Sequence, residues 1–361
     1  MNGFHRQVLM LMLVSACPSV SVASTIEGSC TTESEINSSR VLQPNCIYKQ
    51  SLTITKSNVT LDCRGATLQG TVKDKIGLFI DSRGEGTRNI LVKNCRFLDF
   101  ATTGVLIGWR GQNKEDDSDR EIMFSKAPSN ITLENVEIRR SGRVGLYVDA
   151  YVRKVTLSNS IVEESGGVGV YLEHSSQQTT LKNNRIARNG NGKTPREGVA
   201  IDSSAMNEIR NNVISNNSRG GIFLYKNCGE GRSKGTQNRW QHSNQNVIAQ
   251  NKFFSEDVGV WIASRQSQNL KAWDCSDQSM DDRNEYYRDF ADENVVELNS
   301  FCRTAVAVKV EGDSNKIVNN SYDGDGVQFP VTQREKILRL PQRGNVSKGN
   351  FKTVCMSQNS D

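Results

Sequence analysis

The sequence predicts an all-β solenoid, a chain wound into stacked coils of short parallel strands with loops let into some coils. Three observations carry this expectation. A phrase of glycine, aliphatic, any residue, aliphatic recurs along most of the chain. An asparagine-marked strand pattern lies upstream of it. The composition, 36% hydrophobic with 29 glycines in 361 residues, is thin for a large globular core but suits stacked coils that each contribute few inward side chains.

The phrase appears as Gly77-Leu78-Phe79-Ile80, Gly104-Val105-Leu106-Ile107, Gly145-Leu146-Tyr147-Val148, Gly169-Val170-Tyr171-Leu172 and Gly198-Val199-Ala200-Ile201. It continues as Gly221-Ile222-Phe223-Leu224, Gly259-Val260-Trp261-Ile262, Ala305-Val306-Ala307-Val308 and Gly326-Val327-Gln328-Phe329. The starts lie 27, 41, 24, 29, 23, 38, 46 and 21 residues apart. A floor with irregular excess means one structural unit carrying insertions. Upstream patterns such as Asn130-Ile131-Thr132-Leu133-Glu134-Asn135-Val136 alternate with period two, which marks strands. Units this short leave no room for a helix between parallel strands. Each strand must therefore pair with its copy one coil away, at about 4.8 Å. Asn94, Asn135, Asn159, Asn183, Asn211 and Asn319 then form a column at a tight bend, where asparagine tolerates left-handed backbone angles.

This repeat resembles that of the right-handed parallel β-helix superfamily typified by pectate lyases and related polysaccharide-active proteins, over roughly Ser51 to Phe351. The resemblance implies a single-stranded right-handed parallel β-helix over 51–361, ending in a C-terminal tail and preceded by an N-terminal cap over 24–50. It also implies a polysaccharide substrate. The Asp-Pro-His-Asp motif of mannuronan epimerases is missing, as is the Asn-Thr-Asp and His-Gly pattern of polygalacturonases, so the catalytic residues of those families do not carry over.

Residues 1–23 read as an export signal, with Arg6, an apolar stretch from Val8 to Ala16, Pro18 and the small residues Ser21-Val22-Ala23. The apolar run is too short to span a bilayer, and no other segment is apolar enough. The alternative, a lipoprotein box ending at Cys17, is disfavoured by Pro18. The expected location is secreted or periplasmic. Loss of Arg6 lowers the net charge from +5 to +4, a mild excess that gives no nucleic-acid footprint and suits an acidic substrate. Eight cysteines remain beyond Cys17, and an even number in an exported chain implies disulfides, with 105 possible pairings. Neighbours in the repeat suggest Cys30–Cys46, Cys63–Cys95, Cys228–Cys275 and Cys302–Cys355. A structural zinc site has no CxxC pair to rest on.

In the glycine phrase the two aliphatics point inward, so the residue between them points out. That gives one outward stripe containing Tyr147, Tyr171, Phe223 and Trp261. Two residues on lies a second, with Asp149, Glu173, Asp202 and Tyr225; His174, Lys226 and Arg265 follow at strand ends. Like charges stacked on neighbouring strands repel, so the combination points to function: aromatic rings as platforms for sugar faces, carboxylates for hydroxyls or a cation such as Ca²⁺. Long insertions (110–128, 227–244, 266–293 and 189–197) would wall a groove over this face, and the Asp281-Asp282 and Tyr286-Tyr287 segment would fold over one end.

Two mechanisms fit. In β-elimination from an acidic polysaccharide, Lys226 and Arg265 would bind the uronate, while His174, Tyr171 or Tyr225 would move protons. In glycoside hydrolysis, Asp149 and Glu173 on adjacent coils would lie roughly 5 Å apart, as in retaining pairs, and Asp149 and Asp202 roughly 9 to 10 Å apart, near inverting geometry. A non-catalytic polysaccharide-binding protein is the third reading. The lyase is preferred, acting as a monomer on a polysaccharide without nucleic acid or a transmembrane segment.

Overall fold

The computed structural model describes residues 29–71, 73–109, 119–229 and 239–355. Three parallel sheets of 12, 11 and 11 strands are formed. Within each sheet a strand pairs with the strand three places on in chain order. Consecutive strands therefore fall in different sheets, and each coil gives one strand to each. The front sheet contains the glycine phrases, among them strands Thr103–Gly108, Val144–Val148, Val170–Glu173, Glu197–Asp202, Gly220–Tyr225 and Val258–Ile262. A coil is completed by a back strand such as Arg153–Ser158 and a side strand such as Ile161–Glu163.

Register in the front sheet follows the phrase. Leu106, Tyr147, Tyr171, Ala200, Phe223 and Trp261 pair in succession. The preceding positions Val105, Leu146, Val170, Val199, Ile222 and Val260 are all 0% exposed, which is the alternation expected of a sheet with one buried face. The phrase glycines stand where the side sheet turns into the front sheet. A Cβ on Gly145 would lie 2.5 Å from Val162 Cγ1 and 2.6 Å from the Gly169 carbonyl oxygen, so this turn has no room for a side chain without a shift of its neighbours. One copy is displaced from its expected place. Val258 pairs with Val306 and Trp261 with Lys309, which puts Ala307, not Ala305, in the glycine position. The apolar run 305–308 hides its own phase, since two alanines alternate with two valines.

The asparagine column holds. Asn94, Asn135, Asn159, Asn183, Asn211 and Asn319 all have positive φ, between 51° and 57°, and Asn135 donates its side-chain amide to Asn94 at 2.7 Å. A second set of columns lies inside the coil. Asn184, Asn212, Asn251, Asn299, Asn320 and Asn350 are linked in that order: each backbone N–H donates to the next side-chain oxygen at 2.9–3.0 Å. Their side-chain amides reach back to carbonyls such as Leu157, Leu181 and Ile209. Asn207, Asn246, Asn294, Asn315 and Asn345 form another column. Asn189, Asn217 and Glu256 form a third. Turn backbone that would otherwise be buried without partners is satisfied in this way.

The ladders begin at Ser29, Glu35 and Arg40, so the described part of 24–50, expected as a cap, is itself a coil. All four expected disulfides are formed. Among the described residues no helix is long and apolar enough to cross a membrane. The expected signal at 1–23, with Cys17, lies outside the described residues, as do 110–118 and 230–238 of two expected loops. The remainder of the first of these loops holds a short helix, Arg120–Lys126, capped by the Asp119 side chain.

Candidate active site

A groove of about 760 Å³ runs along the front sheet beside the side-to-front turns. Its floor is Tyr147, Tyr171 and Glu173; its rim carries Arg143, Lys193 and Arg196; one end is closed by Tyr225, Asn227 and Trp273. The rim is built by the side-to-front turns: Arg143 comes from a short turn beside Gly142, and Lys193 and Arg196 come from the 189–197 insertion. Tyr147 and Tyr171 pair across neighbouring strands and their rings stack at 5.3 Å and 13°.

Their hydroxyls converge on two carboxylates. Tyr147 donates to Glu173 Oε2. Tyr171 donates to Asp202 Oδ2 at 2.7 Å and lies 3.5 Å from Glu173 Oε1. Glu173 and Asp202 are register partners on adjacent strands, an arrangement that like-charge repulsion opposes. Arg239 resolves it. Its Nη2 reaches Glu173 Oε1 at 2.6 Å and its Nη1 reaches Asp202 Oδ2 at 3.0 Å, and Arg239 is 6% exposed. Asn227 adds its backbone N–H to Asp202 Oδ1 at 2.9 Å and its side-chain amide to Oδ2 at 2.6 Å.

The two acids are thus unequal. Asp202 is 0% exposed and its lone pairs are taken by Tyr171, Asn227 and Arg239, which makes it a brace. Glu173 keeps 14% of its side chain exposed and lines the groove. The ring of Tyr171 edges the groove while its hydroxyl is sunk; burial first, then the Asp202 charge, pushes its pKa well above the usual tyrosine value. It is a neutral donor at any ordinary pH.

Of the remaining expected site residues, Tyr225 stands at the closed end of the groove and the others do not line it. Phe223 and Tyr225 are 0% and 1% exposed, so they are not open platforms: outward side chains here pack on one another in a small cluster with Val168 and Ala200, flanked by Tyr171 and Trp261. Tyr225 donates to Glu197 at 2.7 Å. Trp261 stands beyond the groove, its indole N–H on Glu311 at 3.0 Å. Lys226 is ion-paired with Asp277 at 3.1 Å. Arg265 is 2% exposed, lies over the Tyr225 ring at 3.8 Å and donates Nε to Asn227 at 2.9 Å. Neither cation lines the groove; Arg265 supports Tyr225 and Asn227, which do. His174 turns away at a φ of 37° and packs 5.7 Å from the Tyr151 ring. Asp149 accepts from the Ala150 N–H at 2.8 Å, and it does not line the groove either. Strict alternation had ended by these positions, since the strand itself ends at Val148 and Glu173.

The Asp281 segment, expected to fold over one end of the groove, forms a loop of its own, and Asp281, Asp282, Tyr286 and Tyr287 are not among the groove's lining residues. Asp281 Oδ1 accepts the backbone N–H of Glu285 at 2.9 Å and of Tyr286 at 3.0 Å. Tyr287 packs with Leu270 and Cys228. The loop meets the site through Asp289, which accepts the N–H groups of Lys226 and Arg265, each at 2.8 Å. Burial raises the Asp289 pKa to about 7 against the pull of those two donors. A Ca²⁺ ion fits poorly between Glu173 and Asp202, because Arg239 already occupies the position a cation would take. Among the described residues no group of three or more His, Cys, Asp or Glu is gathered to hold a metal.

A solenoid of parallel coils with a polar, tyrosine-floored groove on one sheet is the class of protein these features define. The model of the right handed beta helix region matches residues 77–272, more than half of the chain, and the chain belongs to that family. Several solved structures share the fold. An alginate lyase from Paenibacillus sp. str. FPU-7 is 13% identical with a TM-score of 0.54, over 80% of this chain and 90% of that one. The A-module of the mannuronan C-5 epimerase AlgE6 from Azotobacter vinelandii is 16% identical with a TM-score of 0.50, over 89% and 92%. The catalytic unit of an α-1,3-glucanase from Streptomyces thermodiastaticus strain HF3-3 is 12% identical with a TM-score of 0.52, over 88% and 61%. No curated protein matches the sequence.

Proposed function

We propose that this protein is an exported carbohydrate-active enzyme that cleaves an acidic polysaccharide in the front-sheet groove by β-elimination. The observation that carries the reading is the Tyr147 hydroxyl bonded to Glu173 on a floor facing the cations Arg143, Lys193 and Arg196. The alginate lyase and the mannuronan C-5 epimerase among the structural neighbours supply analogy for the substrate class, and analogy of fold alone does not fix a reaction. Four disulfides support an oxidising destination.

The chemistry follows from the arrangement. The rim cations neutralise the uronate carboxylate, which makes the adjacent ring proton removable. Tyr147 takes that proton as its own hydroxyl proton passes to Glu173. The freed electron pair forms the ring double bond, the bond to the leaving oxygen breaks, and the proton held by Glu173 returns through Tyr147 to that oxygen. Tyr171, held neutral, positions Glu173 and donates without ionising. Arg239 keeps the two acids together and Asp202 anchors Arg239. The paired-carboxylate hydrolase is less well supported, because Asp202 is sealed from the groove.

The test is incubation with a panel of polyuronates and neutral glycans, following ultraviolet absorbance of unsaturated ends beside total reducing ends. Equal growth of both signals is expected. Tyr147→Phe should lower turnover by roughly 10²–10⁴-fold, the usual worth of a positioned proton-transfer group. New reducing ends without ultraviolet absorbance would overturn elimination in favour of hydrolysis.

A further inference from the structure

We propose that the groove takes the end of a polysaccharide chain and not its interior, so that cleavage proceeds from a terminus; this rests on reading the groove as a polysaccharide site. A linear polymer lying along the front sheet meets one outward side chain about every 4.8 Å. The track is open at Tyr147 and Tyr171, which are both partly exposed. It shuts over the next two coils, where Ala200 and Phe223 are 0% exposed.

Two independent obstructions close it. The first is on the sheet. The Phe223 ring is met edge-on by Trp261 at 5.3 Å and overlain by the Arg219 guanidinium at 5.5 Å. Trp261 is pinned in turn by Glu311 and covered by Lys309 at 3.9 Å. The second is the loop over 266–293, which sets Trp273 at the groove end beside Tyr225 and Asn227. That loop is braced at three places: the Cys228–Cys275 disulfide, the Lys226–Asp277 ion pair at 3.1 Å, and the two backbone bonds into Asp289. A wall fixed at three points is not a lid. In the other direction the lining of the groove reaches Thr102 and Thr103, where Leu106 is partly exposed, and among the described residues no counterpart of the Trp273 loop lines that end. A chain can therefore enter along the axis and stop, its terminal sugar against the Trp273 ring, but cannot pass through.

Viscosity and product size test this directly. With the full-length protein on a long polyuronate, viscosity should fall slowly for each bond cut, and a single short product should dominate from the first time point. Trp273→Ala should broaden the products and steepen the viscosity loss. A rapid viscosity loss with a ladder of products from the wild type would overturn the chain-end inference and leave the lyase reading standing. Binding separates the two ideas again. Tyr147→Phe protein, offered equal masses of long and short polyuronate, should bind in proportion to the number of chain ends. Binding in proportion to mass overturns the inference alone; no binding and no cleavage with any polymer overturns both.

Discussion

Replacement of Arg239 by methionine should destabilise the protein more than any other single change at the groove. The guanidinium makes two ion pairs, at 2.6 Å to Glu173 and 3.0 Å to Asp202. Methionine keeps much of the volume and removes the charge. Glu173 can turn toward water, since part of its side chain is exposed, so its share of the loss is small. Asp202 cannot, because it is 0% exposed and left with Tyr171 and Asn227 as neutral donors. Removal of one partner of a buried ion pair typically costs about 3–5 kcal/mol, and most of that falls on Asp202 here. Urea unfolding followed by tryptophan fluorescence and far-ultraviolet circular dichroism measures it. Asp202→Asn in the Arg239→Met background should recover much of the loss, because no unpaired charge then remains. Additive losses in the double variant, or an Arg239→Met loss below about 1 kcal/mol, the range of exposed pairs, would refute the reading of Arg239 as a buried counter-charge.

Other measurements bear on the scaffold. Glu256 ends an asparagine column, and burial raises its pKa to about 8. The folded state then holds a proton that the unfolded state releases near pH 4.3–4.5, so stability falls as pH rises from there to about 8. Glu256→Gln, which can still accept from Asn217, should flatten that slope and be the more stable protein above pH 8 in pH-resolved unfolding. Asn251→Leu orphans the Asn212 N–H and the Ile209 carbonyl; at about 1–3 kcal/mol for each buried orphan, a loss of roughly 2–6 kcal/mol is expected in urea unfolding. The Cys228→Ser, Cys275→Ser pair opens a 47-residue separation, worth about 4 kcal/mol on loop entropy. It should also loosen Trp273 and Asn227, read as a higher KM with a smaller change in kcat.

The coil was legible because its rules are periodic. Glycine must recur where coils approach too closely for a Cβ, and aliphatics must alternate where one face is buried, so both leave a pattern in one dimension. The stripes were legible for the same reason, and Tyr147, Tyr171, Glu173 and Asp202 do share one side. Two kinds of fact were not. Whether an outward side chain meets solvent depends on its neighbours, which is why Phe223 and Tyr225 pointed outward and yet proved buried. Arg239 comes from an insertion with no period, and only its destination reveals its role. The internal asparagine columns did leave a trace, in the Asn183-Asn184, Asn211-Asn212 and Asn319-Asn320 pairs. The first of each pair makes the bend, and the second points inward.

Those inward amides have an evolutionary consequence. Successive members of one column are separated by 28, 39, 48, 21 and 30 residues, yet every link has the same geometry. Chain length between them is consequently neutral as far as the spine is concerned, and any surplus is extruded sideways. Such a frame lets lineages graft, shorten or exchange the excursions that shape substrate access while the rod beneath stays unchanged, which separates the inheritance of stability from the invention of specificity.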